Sequence, residues 1–92
     1  MARLSDTEID GALQGRPDWR REGEELVRDR SFADFTEALA FVNAVGAIAE
    51  ARNHHPDILL HGWNNVRLRI STHSEGGITA ADVELADAVD GL

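Results

Sequence analysis

The 92-residue chain contains no cysteine and no lysine. Without thiols it cannot form a disulfide framework, a thiolate metal site or a cysteine nucleophile. Its nine basic residues are all arginine and are outnumbered by 17 acidic ones, for a formal net charge of −8. Phosphate binding needs concentrated positive charge, so no direct contact with nucleic acid is expected, and an anionic membrane surface is disfavoured for the same reason. No run approaches the ~20 apolar residues of a membrane span. The amino terminus, Met1-Ala2-Arg3-Leu4-Ser5-Asp6, lacks the apolar stretch of a signal peptide. A cytoplasmic protein is the expectation. There is no glycine-rich phosphate loop, P-loop lysine or nucleophile elbow. What is present is an ordinary 42% of hydrophobic residues, in a length suited to a single domain over residues 1–92.

Three stretches read as helix starts, because a Ser or Thr is followed three residues later by an acid. Ser5-Asp6-Thr7-Glu8, with Leu4 and Ile9 as a hydrophobic staple, opens a short helix that Gly15 stops. Ser31-Phe32-Ala33-Asp34 opens a helix of about twenty residues ending near Arg52. Its stripe is Phe35, Ala38, Val42, Val45 and Ala49, flanked by Phe32, Leu39 and Ile48. Thr79-Ala80-Ala81-Asp82 opens a third helix, burying Val83, Ala86 and Val89 with Leu85 and Leu92 beside them. Residues 19–22 and 25–30 bracket Gly23-Glu24 as one predicted hairpin. Residues 58–63 and 66–71 bracket Asn64-Asn65 as another. Val66, Leu68 and Ile70 alternate with Arg67 and Arg69, the pattern of a sheet buried on one face. The order α-β-β-α-β-β-α predicts an α+β fold: a four-stranded antiparallel sheet covered on one face by helices. Such a sheet leaves its other face and its edges partly open, which favours self-association.

Three histidines stand at informative places. Asn53-His54-His55-Pro56-Asp57 follows the long helix, and Pro56 disfavours helix at His55. His73 ends the fourth predicted strand. Antiparallel pairing of the second hairpin would gather His54, His55 and His73 at one sheet edge, with Asp82 tied nearby by a short loop. Imidazole titrates near neutrality and can both give and accept protons. A helix carboxyl end favours the protonated ring, and Glu50, one turn before His54, would add to that. A carboxylate such as Asp82 can fix a ring tautomer. Plainer readings stand beside these. A His-His pair at a helix end is common solvated-terminus chemistry. Three histidines can also bind zinc, although no fourth ligand has an obvious spacing. Asp82 can be a capping residue alone, and His61, Arg67 and Arg69 fit a solvated sheet face. Trp19 and Trp63 suit the core, or else the wall of a ligand pocket.

Glu50-Ala51-Arg52-Asn53-His54-His55-Pro56-Asp57, then Trp63, Ser71-Thr72-His73, Gly77-Ile78-Thr79 and Asp82, together resemble the pterin-4a-carbinolamine dehydratases. Trp19, Leu26, Arg28, Phe32, Phe35, Ala38, Phe41, Val45 and Ala49 extend the resemblance over roughly residues 17–90. Where Tyr is frequent in that family, this chain has Trp63. The resemblance implies the same α-β-β-α-β-β-α fold, a homodimer or homotetramer, and a hydro-lyase. It would dehydrate 4a-hydroxytetrahydropterin to quinonoid dihydropterin, recycling the pterin of aromatic amino acid hydroxylases without a metal or bound cofactor. His54, His55 and His73 would then be catalytic. His54 and His73 would act as the acid/base pair, and His55 would mainly hold substrate. Glu50 would orient the first histidine, Asp82 would lie at the site mouth, and Trp63 and Thr72 would join them in binding substrate. The same resemblance carries an alternative, a protein-binding or assembly module. Vertebrate relatives stabilise the dimer of a homeodomain transcription factor, and some photosynthetic relatives assist assembly of a carboxylating enzyme.

Overall fold

A computed structural model describes residues 2–92. The elements run α1 (Asp6–Gln14), β1 (Arg20–Glu22), β2 (Glu25–Ser31), α2 (Phe35–Arg52), β3 (Asp57–His61), β4 (Asn65–Ile70), a 3-10 turn (His73–Glu75) and α3 (Ala80–Asp90). The four strands form one antiparallel sheet in the order β1-β2-β4-β3. Both hairpins form, and α2 carries the chain from β2 to the edge position of β3. Among the described residues, no helix is long and apolar enough to cross a membrane.

Strand alternation divides the sheet into two different surfaces. Leu26, Val66, Leu68 and Ile70 point to the helices and pack with Ile9, Val45, Ile78, Leu85 and Val89 in the core. Each such side chain taken fully out of water stabilises the fold by about 1.5–3 kcal/mol. On the open face, Arg20 pairs with Glu22 at 2.6 Å and with Asp29 at 2.9 Å. Arg67 meets Asp29 at 2.7 Å, and Arg69 reaches Glu22 and Glu25 at 3.2 and 3.4 Å. Val27, opposite both Arg20 and Arg69, is completely buried although no helix covers it. The arginine stems supply its cover.

The predicted caps of α1 and α3 form as full capping boxes. At α2 the cap lies three residues later than expected. Asp34, not Ser31, accepts from the Glu37 amide, while Ser31 finishes β2 opposite Asn65 and donates to its side chain at 2.6 Å. Strand pairing holds Ser31 and leaves the cap to the next competent acceptor. The buried stripe of α2 is Ala38, Phe41, Val45 and Ala49. Phe35 is 48% exposed and Val42 only partly buried, so the expected stripe was rotated at its start. Leu92, past the end of α3, is also exposed.

The second hairpin turns through residues 62–64 rather than Asn64-Asn65, since His61 pairs with Asn65. Gly62 and Trp63 both adopt left-handed backbone, with φ of 55° and 62°. Consecutive left-handed residues match the twist of a tight hairpin. Trp63 is therefore a turn residue, 61% exposed, and not part of the core. Trp19 does enter the core, its indole Nε1 donating to Asp90 at 2.9 Å. Asp90 also receives Arg28, a buried arginine on the helix-facing side of β2. These contacts pin the end of α3 to the sheet.

Candidate active site

The site begins where α2 stops. Asn53 takes a left-handed conformation (φ 49°, ψ 42°), and its amide donates to the carbonyls of Ala49 and Glu50. The His54 amide donates back to Ala49 at 3.1 Å, closing the helix end. This turn sends His54 toward α3 and leaves His55 on the outside.

Asp82, in the first turn of α3, is fully buried and lies at the centre of the arrangement rather than at its mouth. One carboxylate oxygen accepts from His54 Nε2 at 2.6 Å. The other accepts from the Thr72 hydroxyl and from the Thr79 amide, each at 2.8 Å. Thr72 spends its single proton on Asp82. The 2.8 Å contact between the Thr72 and Thr79 hydroxyls must therefore run from Thr79 to Thr72. Thr79 Oγ1 in turn accepts from the Ala81 amide at 3.2 Å. Every proton in this chain has one direction, and it ends on a carboxylate that holds His54 with hydrogen on Nε2. The Nδ1 of His54 is then the ring atom left to exchange a proton. Buried polar atoms that are fully partnered make such a network rigid.

Glu50 does not reach the first histidine. It pairs with Nε2 of His55, on the exposed side of the helix end. The Glu50 side chain is turned outward with the α2 surface, while Asp82 already occupies the position facing His54. His73 opens the 3-10 turn instead of ending β4, which stops at Ile70. Thr72, the residue before it, forms an isolated bridge with Gly77 and supplies the hydroxyl on Asp82. The chain thus brings His73 to the same end of the sheet as His54, although among the described residues its ring has no hydrogen-bond partner. Trp63 lies elsewhere. It lies in the turn at the far end of the β3–β4 hairpin, beyond Asn65, which is five residue steps or about 17 Å along β4 from Ile70. His61 is exposed on the open face, beside a groove of about 330 Å³ lined also by Asp29, Ser31 and Arg67. A second groove, of about 160 Å³, lies against Asp57, Leu59 and Arg69. Neither groove includes His54 or Asp82. In them Arg67 and Arg69 already pair with carboxylates and Arg30 lies over the Phe32 and Phe41 rings, whereas the Asp82 network presents an oriented imidazole, so the chemistry points to the latter. Among the described residues, no three His, Asp or Glu side chains converge as a metal-ligand set.

Sequence reasoning did not assign Thr79 a part in the network. Its capping position was legible, but a capping threonine whose hydroxyl also orders a second hydroxyl has no separate sequence signal.

Comparison with known proteins places the chain and its fold in one family. The family model described as "Pterin 4 alpha carbinolamine dehydratase" matches residues 2–92. A protein of Thermomicrobium roseum named "Putative pterin-4-alpha-carbinolamine dehydratase" is 50% identical over 86 residues, covering 94% of this chain and 91% of its own. One of the same name from Metallosphaera sedula is 45% identical over 92 residues, covering 100% and 95%. Among solved structures, a "transcriptional coactivator/pterin dehydratase" from Brucella melitensis superposes with a TM-score of 0.91 at 31% identity, over 97% of this chain and 96% of that one. A pterin dehydratase-like protein described as a RuBisCO assembly factor in the alpha-carboxysome gives a TM-score of 0.67 at 26% identity, over 80% and 87%. With its whole described length matched by the family and its α-β-β-α-β-β-α architecture shared with these structures, the chain belongs to the pterin 4 alpha carbinolamine dehydratase family.

Proposed function

We propose that the protein dehydrates a 4a-hydroxytetrahydropterin to the quinonoid dihydropterin. The observation that carries this reading is the buried Asp82 carboxylate holding His54 in one tautomer, at the sheet end shared with His55 and His73, in a chain of this family. In the reaction the bond between C4a and its hydroxyl oxygen breaks. That oxygen takes up a proton and leaves as water, while a ring nitrogen gives up its proton, so substrate becomes product plus water. The step needs one proton donor and one acceptor. His54, through Nδ1, and His73 serve as that pair. His55, steadied by Glu50, holds the substrate. Acid/base catalysis of this kind accelerates a reaction by about 10²–10⁴-fold, enough for an elimination that already proceeds unaided.

The deciding experiment follows the decay of 4a-hydroxytetrahydropterin with purified protein. Wild type should exceed the spontaneous rate, and the His54→Ala/His73→Ala double variant should return to it. Equal rates for wild type, variant and buffer would end the enzymatic reading. The structural relative described as a RuBisCO assembly factor favours one other reading, a protein-assembly module on the same fold. A stoichiometric protein partner recovered without pterin turnover would select it. Self-association through the exposed Phe35 and Leu39 on α2 fits either reading, and a light-scattering mass of two or four chains would establish it.

A further inference from the structure

Among the described residues, His54 and His55 each have a carboxylate to hold the ring, whereas His73 has none. Its position is therefore set by the backbone of its turn. That turn is closed by the Thr72 amide donating to the Gly77 carbonyl at 2.9 Å, with the reciprocal bond at 3.3 Å. Inside it, the Glu75 amide donates to Thr72 at 3.0 Å and the Gly76 amide to His73 at 3.1 Å. Where Gly77 sits thus decides where His73 sits.

Gly77 is buried, and what covers it comes from the opposite end of the sequence. A methyl group added to its Cα would lie 2.6 Å from Glu24 Oε2 and 2.8 Å from Arg3 Nε. Those two side chains form an ion pair at 2.9 Å directly over the glycine. The pair is braced on both sides. Arg21 bonds Asp6 at 2.7 Å, reaches Glu24 at 3.4 Å and donates to the Gly23 carbonyl at 2.8 Å, tying the β1–β2 turn to the start of α1. The Leu4 amide donates to the Ile78 carbonyl at 2.8 Å, so the amino-terminal segment lies along the residue that follows Gly77.

We infer that Arg3 and Glu24 are positioning residues for His73: their ion pair closes over Gly77 and seats the turn that presents this imidazole to the substrate. The amino-terminal segment and the first hairpin thereby become part of the catalytic arrangement without touching substrate. The inference deepens the dehydratase reading and rests on it. An exposed ion pair contributes little to global stability, so its loss should show in catalysis and not in unfolding. A reacting group moved by a fraction of an ångström loses part of the large advantage that orientation confers.

The test compares Glu24→Ala and Gly77→Ala with wild type. Arg16→Ala, which removes a two-pronged ion pair to Asp87 at the other end of α3 from this turn, is the control. Three quantities are read: kcat and KM for 4a-hydroxytetrahydropterin, the thermal midpoint, and the imidazole carbon and proton resonances of each histidine. For both test variants kcat should fall about three- to tenfold with KM within about twofold. The midpoint should stay within about 4 °C. The His73 resonances should move while those of His61 do not. The control should match wild type in kcat and in its His73 resonances. A kcat within twofold of wild type in both test variants, unmoved His73 resonances, or an equal loss in the control would overturn the inference. If wild type itself shows no dehydration, the catalytic reading fails. The His73 resonances then decide separately whether the ion pair seats the turn.

Discussion

Replacing Asp82 by Asn preserves its shape while changing which atoms can accept a hydrogen bond. The carboxylate accepts from three donors: His54 Nε2, the Thr72 hydroxyl and the Thr79 amide. An amide offers one oxygen and one NH₂ group. Its oxygen can keep Thr72 and Thr79 on the side they already share, which turns the NH₂ toward His54. Two donors would then face each other at 2.6 Å unless His54 gives up its Nε2 proton and carries it on Nδ1 instead. The network can survive that exchange, so the expected stability loss is small, about 1 kcal/mol. In a domain of this size that lowers the thermal midpoint by about 4–8 °C. Catalysis should suffer far more. The atom assigned to proton exchange would now be blocked, and kcat should fall by a large part of the roughly 10²–10⁴-fold that acid/base catalysis supplies. Asp82→Ala is the contrasting case, because it strands buried donors at about 1–3 kcal/mol each and should unfold readily. Ring nitrogen chemical shifts report the tautomer directly, alongside kcat and the melting curve. If Asp82→Asn keeps hydrogen on Nε2 of His54, or retains kcat within threefold, the proton ordering derived from this network is wrong.

Three further outcomes are expected. Trp63→Gly removes a Cβ from left-handed backbone at an exposed turn and should stabilise the fold by about 1–2 kcal/mol in urea titration, whereas a loss would mean that the ring packs usefully. Asp90→Ala strips a shared acceptor from buried Arg28 and from the Trp19 indole, and should cost about 1.5–3 kcal/mol in urea titration, whereas an unchanged midpoint would mean that these bonds do not pin α3. The open face should weaken in acid. Hydrogen bonds from Arg67, and then Arg20, hold Asp29 below its ordinary 3.8, and those from Arg20, and then Arg69, hold Glu22 below 4.5. Folded-state values below the unfolded ones mean that this stability is complete above the unfolded pKa and drains as pH falls through the folded one. Urea midpoints measured from pH 7 to pH 2.5 should therefore decline below about pH 5, less steeply in Asp29→Asn; equal slopes would remove the open-face ion pairs from the acid response.

The parts of this molecule that were legible in the sequence are those governed by near neighbours. Capping boxes, the alternation in Val66-Arg67-Leu68-Arg69-Ile70 and the break at Pro56 act over a few residues, so their pattern survives as text. The errors fell where a distant partner competed. Ser31 has the chemistry of a cap, but pairing with Asn65 keeps it in the strand. Trp63 has the composition of a core residue, but the register of β3 against β4 puts it in the turn.

The candidate site divides in the same way. From sequence alone follow the presence of three histidines and a carboxylate, and the antiparallel topology that draws them to one end of the sheet. Only the tertiary structure decided that Asp82 is buried against His54, that Glu50 serves His55, and that Arg3 and Glu24 close over Gly77. Which carboxylate meets which imidazole depends on side-chain direction across segments 28 residues apart, and no local periodicity encodes that. It emerges when the burial of the core has fixed how α3 lies against the end of α2.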